Sequence, residues 1–219
     1  MKVGTDGVLL GAWTRLENQP DAILDVGAGT GLIALQMAQR SQAQTIDAVE
    51  LDNNAYEQCV ENFEASPWSD RLFCYHASFN EFVSEMDEPY GLIVCNPPFY
   101  KTNVSSKNSA RDLARQAQSL PMIDLLEGVG QLLSINGSFA VVLPLNNIEE
   151  TISIAAQQKL YPNRLLKVRG NPSSIYKRGL LQFSRTTSSL ETTTLTIETE
   201  RHNYTPEYQK LTQPFYLKM

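Results

Sequence analysis

Ala22-Ile23-Leu24-Asp25-Val26-Gly27-Ala28-Gly29-Thr30-Gly31 is the stretch that decides the fold. Ala22 to Val26 are apolar but for one acid, which reads as a short buried strand. Leu32 to Arg40 follow, with Leu32, Leu35, Met37 and Ala38 at helical spacing. Strand, glycine turn and helix make the first unit of a doubly wound sheet. Glycines at the turn let the backbone approach a ligand closely at the helix N-terminus. A second strand, Thr45 to Val49, ends at Glu50, with Asp52 two residues on. A carboxylate there is placed to accept hydrogen bonds from the ribose hydroxyls of a nucleoside cofactor. The alternative role for Glu50 and Asp52 is a charge pair at a helix N-terminus.

The unit repeats along the chain. Asn53 to Glu64, Phe79 to Met86, Leu120 to Leu133 and Asn147 to Lys159 read as helices, with Gly137 as the stop after the third. Arg71 to Ala77, Tyr90 to Cys95, Ser138 to Leu143, Arg164 to Arg169, Leu180 to Arg185 and Thr193 to Glu198 read as strands. Lys101 to Gln118 are polar without a period and read as a mobile segment. The expected fold is α/β and doubly wound: a seven-stranded, mainly parallel sheet finishing in an antiparallel C-terminal hairpin, with residues 1–219 as one domain.

The fourth strand ends in Asn96-Pro97-Pro98-Phe99-Tyr100. Two prolines remove two backbone donors, so the carbonyls of Asn96 and Pro97 have no helix or ladder to continue into. Asn96 adds a side-chain carbonyl, and flat rings follow. Paired acceptors beside an aromatic suit a planar group with an exocyclic amine, such as a nucleobase. Alone, the motif also fits a strand exit turn, with Phe99 and Tyr100 packing in the core.

Charge selects the cofactor. Asp25 sits just before the first glycine, where the pyrophosphate of a dinucleotide would lie, and like charges there repel. S-adenosylmethionine carries a sulfonium and an ammonium group, so an acid at that point helps. The spacing Gly27-x-Gly29-x-Gly31 also departs from the dinucleotide pattern.

Composition bounds the rest. No apolar run approaches the roughly 20 residues that span a bilayer, and no hydrophobic leader opens the chain, so neither membrane segment nor signal peptide is expected. Cys59, Cys74 and Cys95 are odd in number and set among apolar residues, which fits reduced thiols in a cytoplasmic core and no metal cluster. His76 and His202 have no partner cluster. The net charge of −6 disfavours nucleic acid at face value. Its distribution does not: Thr151 to Leu190 hold no acid and seven bases, Lys159, Arg164, Lys167, Arg169, Lys177, Arg178 and Arg185. Lys101, Lys107, Arg111 and Arg115 add four more against Asp112. If the two segments share a face, it fits a phosphate backbone; otherwise it is a solvated surface with accidental clustering.

With these residues together, the chain resembles the class I S-adenosylmethionine-dependent methyltransferases, a Rossmann-like family. Within them it resembles the N6-adenine branch marked by Asn-Pro-Pro-Phe/Tyr. The resemblance implies that Asp25, Gly27, Gly29 and Gly31 hold the methionine part of S-adenosylmethionine and that Glu50, with Asp52 beside it, takes the ribose. Thr5 and Asp6 flank the cofactor, and Asn96, Pro97 and Phe99 hold the target adenine. Pro98, Tyr100, Lys101, Arg111 and Arg178 are the expected substrate contacts. The family carries Asp where this chain has Ser78, which contacts the cofactor adenine. Relatives also carry residues ahead of the Lys2-Val3-Gly4-Thr5-Asp6-Gly7 segment, so Thr5 and Asp6 are expected to be loosely held. The expected partner is tRNA, bound by a monomer without metal. Alternatives are a methyltransferase of a protein glutamine amide or of guanine N2, or a non-catalytic RNA-binding module. A Rossmann oxidoreductase is disfavoured by Asp25.

Overall fold

A computed structural model describes residues 4–16, 19–98 and 120–217. Its centre is an eight-stranded sheet of β1 (Ala22–Val26), β2 (Thr45–Glu50), β3 (Leu72–His76), β4 (Tyr90–Cys95), β5 (Leu133–Pro144), β6 (Tyr161–Arg169), β7 (Arg178–Ser184) and β8 (Glu191–Thr196). The spatial order is β3-β2-β1-β4-β5-β7-β6-β8. β1 to β5 pair in parallel, and β7 runs antiparallel to both β5 and β6.

The expected C-terminal hairpin is therefore β6–β7. The sheet has eight strands where seven were expected: the strand read at Thr193 to Glu198 runs from Glu191 to Thr196 and joins the same sheet, parallel to β6, as its edge strand. Four of its first residues are exposed and only Leu195 is buried, which suits an edge. A separate two-stranded ribbon, β9 (Glu198–Glu200) and β10 (Asn203–Tyr204), follows.

Alternation along the strands divides the core into two layers. On one face Ile23, Ala48, Val94 and Leu180 pack under α1 (Thr5–Trp13), α2 (Leu32–Arg40) and α3 (Asn53–Glu64). On the other, Leu24, Ile93, Phe139 and Phe183 pack under α4 (Phe79–Glu85), α5 (Met122–Leu132) and α6 (Ile148–Gln157). Phe139 and Phe183 are register partners whose ring centroids lie 5.9 Å apart, an aromatic pair worth about 1 kcal/mol beyond its buried area. The short α7 (Pro206–Thr212) closes the first layer through Tyr208.

Two features depart from expectation. Gly137 does not stop α5: the helix ends at Leu132, and Leu133 already has extended dihedrals. Thr5 and Asp6 are not loose, since they open α1, which is buried from Gly7 to Trp13. Gln36 Nε2 donates to the Val8 carbonyl at 3.1 Å, and Arg40 donates to the carbonyls of Gly11 and Thr14, the latter at 2.9 Å. A cation on the last carbonyls of a helix satisfies groups the helix leaves open. α1 is thus fixed onto α2 at its C-terminal end.

Gly31 caps α2 with φ of 78°, a left-handed conformation. A Cβ there would also stand 2.4 Å from Phe63 Cε1 and 2.8 Å from Cys59 Sγ. Backbone strain and a ring that α3 holds in place both oppose any side chain. Gly31→Ala is expected to cost about 2–5 kcal/mol, the sum of the left-handed penalty and overpacking. Urea unfolding measures it, and a loss below about 0.5 kcal/mol would remove the packing role assigned to this turn.

Candidate active site

The chain moves outward from β1 through β2 to β3, then crosses back to lay β4 on the other side of β1. Strand order reverses there, and the crevice beyond the carboxyl ends of such strands is where open α/β sheets bind ligands. The register sets what meets at this edge. Val26 pairs with Val49 on one side and with Cys95 on the other. The residues that follow, Gly27, Glu50 and Asn96, therefore leave three adjacent strands at the same edge.

Asp25 has no exposed surface and lies on the α2 face of β1. Its Oδ2 accepts the Ala34 N–H at 3.0 Å, one of the first-turn amides that α2 cannot satisfy internally. Oδ1 is buried and accepts no hydrogen bond among the described residues. Burial pushes the carboxyl up to about 7, opposed by the Ala34 amide and reinforced by the negative charge of Glu50. An unsatisfied buried acceptor costs about 1–3 kcal/mol and is an invitation to a cationic or donor group.

The glycine turn is shaped around the same point. Gly27 and Gly29 have φ of 68° and 59°. A Cβ on Gly27 would meet no protein atom within 4 Å, unlike one on Gly31, so packing does not explain the glycine. Glu50 braces the turn: Oε2 accepts the Gly29 N–H at 2.7 Å and Oε1 the Asp52 N–H at 2.8 Å. Each oxygen keeps a second lone pair for a hydroxyl. An acid with one oxygen unsatisfied, an open cradle over Gly27 and a half-buried carboxylate one strand away form a set of groups that fits S-adenosylmethionine.

Asn96 and Pro97 are half-buried and Pro98 is exposed. The Asn96 amide makes no hydrogen bond among the described residues. α1 stands beside it: a Cβ on Gly7 would come within 3.6 Å of Asn96 Nδ2 and 3.4 Å of Leu32 Cδ2. Asp6, one residue earlier, accepts a hydrogen bond from Arg178 Nε at 2.9 Å. An expected cofactor contact and an expected substrate contact thus bind each other across 172 positions of sequence and clamp the start of α1 to β7. Thr5 is exposed at the head of that helix.

One acid and one hydroxyl expected at the site already have structural work. Asp52 caps α3, its Oδ1 accepting the Ala55 N–H at 2.9 Å. Ser78 forms a capping box with Glu81 at the start of α4. Phe99, Tyr100, Lys101 and Arg111 lie outside the described residues. Sequence reasoning passed over Leu51, which is 43% exposed between Glu50 and Asp52. Its carbonyl is 3.1 Å from His76 Nε2, and His76 stacks on Tyr56 at 5.0 Å. The available signal was an aliphatic side chain between two acids at a strand end.

The seven bases of residues 151–190 do not share one face. β6 and β7 form a hairpin, which sends Arg169, Lys177 and Arg178 to the edge with Asn96 and Arg164 and Arg185 to the opposite one. Arg164 lies 4.4 Å over Trp13, and Arg185 donates to the carbonyls of Gly130 and Leu133. A cavity of about 300 Å³ between Arg15, Gly91, Ser138 and Glu191 also belongs to that opposite edge, where β4 and β5 begin. Among the described residues no group of three or more His, Cys, Asp or Glu could hold a metal ion, and no helix is long and apolar enough to cross a membrane.

Comparison with known proteins agrees with this geometry. Residues 8–159 match the model of the methyltransferase small domain. A curated relative from Flavobacterium psychrophilum, named tRNA1(Val) (adenine(37)-N6)-methyltransferase, is 54% identical over all of this chain and 94% of its own length. One of the same name from Christiangramia forsetii is 51% identical over all of this chain and 92% of its own. Among solved structures, a predicted O-methyltransferase from Agrobacterium tumefaciens superposes with a TM-score of 0.73 at 16% identity, covering 95% of this chain and 96% of that one, which shows the shared fold. A family model that matches residues 8–159 and relatives more than half identical over the whole chain agree with the edge built by β1, β2 and β4, and the chain belongs to the methyltransferase small-domain family.

Proposed function

We propose that this chain transfers the methyl group of S-adenosylmethionine to the N6 amine of an adenine in tRNA, namely adenine 37 of tRNA1(Val). The observation that carries the reading is the common edge of the glycine turn after Asp25 and the acceptors of Asn96 and Pro97. Two full-length relatives above 50% identity bear the name of that reaction, which supports the choice of substrate.

Bound at the glycine turn, S-adenosylmethionine supplies an electrophilic methyl group on a cationic sulfur. Asp25 compensates that positive charge from within the protein. Gly27 leaves room for close approach, and Glu50 fixes the nucleoside through its hydroxyls. Leu51 offers an apolar surface beside it for the cofactor's base. The N6 lone pair of adenine is delocalised into the ring and attacks poorly. Asn96 Oδ1 and the Pro97 carbonyl accept the two N6 hydrogens and favour a pyramidal nitrogen as positive charge develops. No strong base is required, because the nitrogen becomes cationic as the N–C bond forms and the S–C bond breaks, and then sheds its proton to water. Holding the two reactants about 3 Å apart supplies much of the rate. In an anticodon loop the target base is already easy to unstack.

Nucleoside mass spectrometry of unmodified tRNA incubated with the chain and S-adenosylmethionine tests the assignment. N6-methyladenosine at position 37 is expected, and methylation of a glutamine-bearing peptide in its place would overturn it.

Asn96→Ala is expected to lower methyl transfer at least 100-fold while S-adenosylhomocysteine binds within about threefold of the parent, since an acceptor that strengthens only in the transition state acts on turnover. Lost cofactor affinity with unaltered turnover would assign Asn96 to the other half of the site.

Asp25 gives a pH dependence whose sign is fixed. In the free protein its carboxyl titrates at about 7, and a neighbouring cation lowers that value, so the complex holds fewer protons than the free protein. Affinity for S-adenosylmethionine therefore rises with pH, by up to about tenfold per unit below pH 7, and levels off above it. Titration calorimetry between pH 5.5 and 8.5 reads this, together with proton release on binding. In Asp25→Asn the slope should vanish; a slope that persists there places the titrating group elsewhere.

A further inference from the structure

The segment from Gly170 to Lys177 joins β6 to β7 at the edge that carries the candidate active site. β6 runs antiparallel to β7, as β5 does, so Arg169 emerges at the same edge as Cys95. The segment is held from within. Asn171 Oδ1 accepts hydrogen bonds from the hydroxyls of Ser173 and Ser174 at 2.9 and 2.8 Å. Arg169 Nη1 donates to the Pro172 carbonyl at 2.9 Å, and its guanidinium lies 5.1 Å over the ring of Tyr176. At the root of the hairpin, the Lys177 N–H donates to the Val168 carbonyl at 3.0 Å.

What this bracing achieves is to hold an isoleucine in water. Ile175 is 75% exposed at the end of the braced turn. Lys177, two residues on, is exposed and pairs with no acid among the described residues. No acid occurs anywhere from Thr151 to Leu190. The loop is also tied to the reaction centre: Arg178, next after Lys177, binds Asp6, and the neighbouring Gly7 packs against Asn96. β7 lies two strands from β4, roughly 10 Å at the usual strand spacing.

We propose that this loop is an RNA-docking element, in which Ile175 packs on the face of an unstacked base flanking the target and Lys177 binds the adjoining phosphate. It rests on the tRNA reading above. Unstacked bases in an RNA loop present flat apolar faces, and an aliphatic group already held outward needs no rearrangement to cover one. The lysine matters because the whole chain is negative and repels a phosphate backbone except where acids are absent. An apolar tip beside Lys177, on a loop that carries no acid of its own, fits the alternation of flat base and phosphate along a nucleotide strand; the acids that come near are Asp6, which is paired to Arg178, and Glu198, whose N–H donates to the Gly170 carbonyl.

The test uses the full chain with unmodified tRNA, Ile175→Ser and Lys177→Ala, and three readouts: tRNA affinity by fluorescence anisotropy from 50 to 300 mM salt, methyl-transfer kinetics, and S-adenosylhomocysteine affinity. Lys177→Ala is expected to weaken tRNA binding several-fold and to make the slope of log affinity against log salt shallower by about 0.7, the value for one single-strand phosphate contact. Lys177→Arg keeps the slope. Ile175→Ser is expected to weaken binding about tenfold with the slope unaltered. In both, the loss appears in KM for tRNA, with S-adenosylhomocysteine affinity and melting temperature held, which separates docking from a folding defect. Unchanged tRNA affinity and salt slope in both variants would overturn the proposal, as would a parent chain that does not bind tRNA. A parent that binds tRNA but leaves adenine 37 unmethylated would overturn the functional reading instead, and the two variants would still decide the role of the loop through affinity alone.

Discussion

A fully buried carboxylate with one oxygen left unsatisfied is the constraint on which the rest of this molecule depends. Among the described residues Asp25 accepts the Ala34 amide and nothing else. A protein that needed only a fold would place Val or Ile here, as it does at Ile23, and avoid a penalty of a few kcal/mol. Keeping the acid makes sense only if a positive group completes it. The amide of α2 is a partial compensation, because a helix N-terminus favours negative charge, while Glu50 nearby works against it. The result is a carboxyl poised near neutrality, which ionises when a cation arrives. On the proposed function this local instability is the source of cofactor preference, since an anionic dinucleotide would meet repulsion at the place where a sulfonium would meet attraction.

The acid would be useless without an acceptor pair one strand away, and topology supplies it. Because β4 crosses back to the far side of β1, two segments separated by some 70 residues of chain leave the sheet side by side. α1 then closes the corner. Its C-terminal end is fixed to α2 by Gln36 and Arg40, and its N-terminal end to β7 by Asp6 and Arg178. The ion pair is partly exposed, so its own contribution to stability is small. Its effect is positional: it holds the start of α1 beside Asn96, where a Cβ on Gly7 would lie 3.6 Å from Asn96 Nδ2.

Much of this was legible before any coordinates. The strands β1 to β4, the helices α2 and α3, the glycine turn and the Asn-Pro-Pro exit all carry local signals, because period and turn chemistry act over a few residues. What escaped is non-local or lacks a period. α1 is buried on every side from Gly7 to Trp13, so it has no polar face to reveal a helix, and its glycines argue against one. The Asp6–Arg178 pair joins distant positions that sequence assigned to different ligands. Asp52 and Ser78 carry residue types equally suited to a ligand and to a cap, and both cap helices. Gly137 looked like a helix stop because glycine commonly is one, yet α5 ends at Leu132 on a leucine that simply turns extended.

The basic residues carry the last lesson, since whether they share a face was left open and the described part of the fold divides those of residues 151–190 between two edges. An acid-free run suggests one positive face only if the run is folded as a single layer. Here it forms a hairpin, and each turn of an antiparallel pair moves alternate ends of the run to opposite edges of the sheet. Arg164 and Arg185 are then drawn into structure at the far edge, over Trp13 and onto the carbonyls that end α5. Among the described residues the bases at the reaction edge are few: Arg169 braces a loop, Arg178 braces α1, Lys167 pairs in register with Gly179 near the end of β6, and Lys177 is exposed. A chain of net charge −6 therefore does not attract a phosphate backbone through bulk potential. Attraction has to come from a small number of cations in places where acids are missing, and at short range, because salt screens longer reach beyond about 10 Å. On the proposed function, electrostatics then sets where an RNA strand is tolerated at this edge, and local fit there chooses the base.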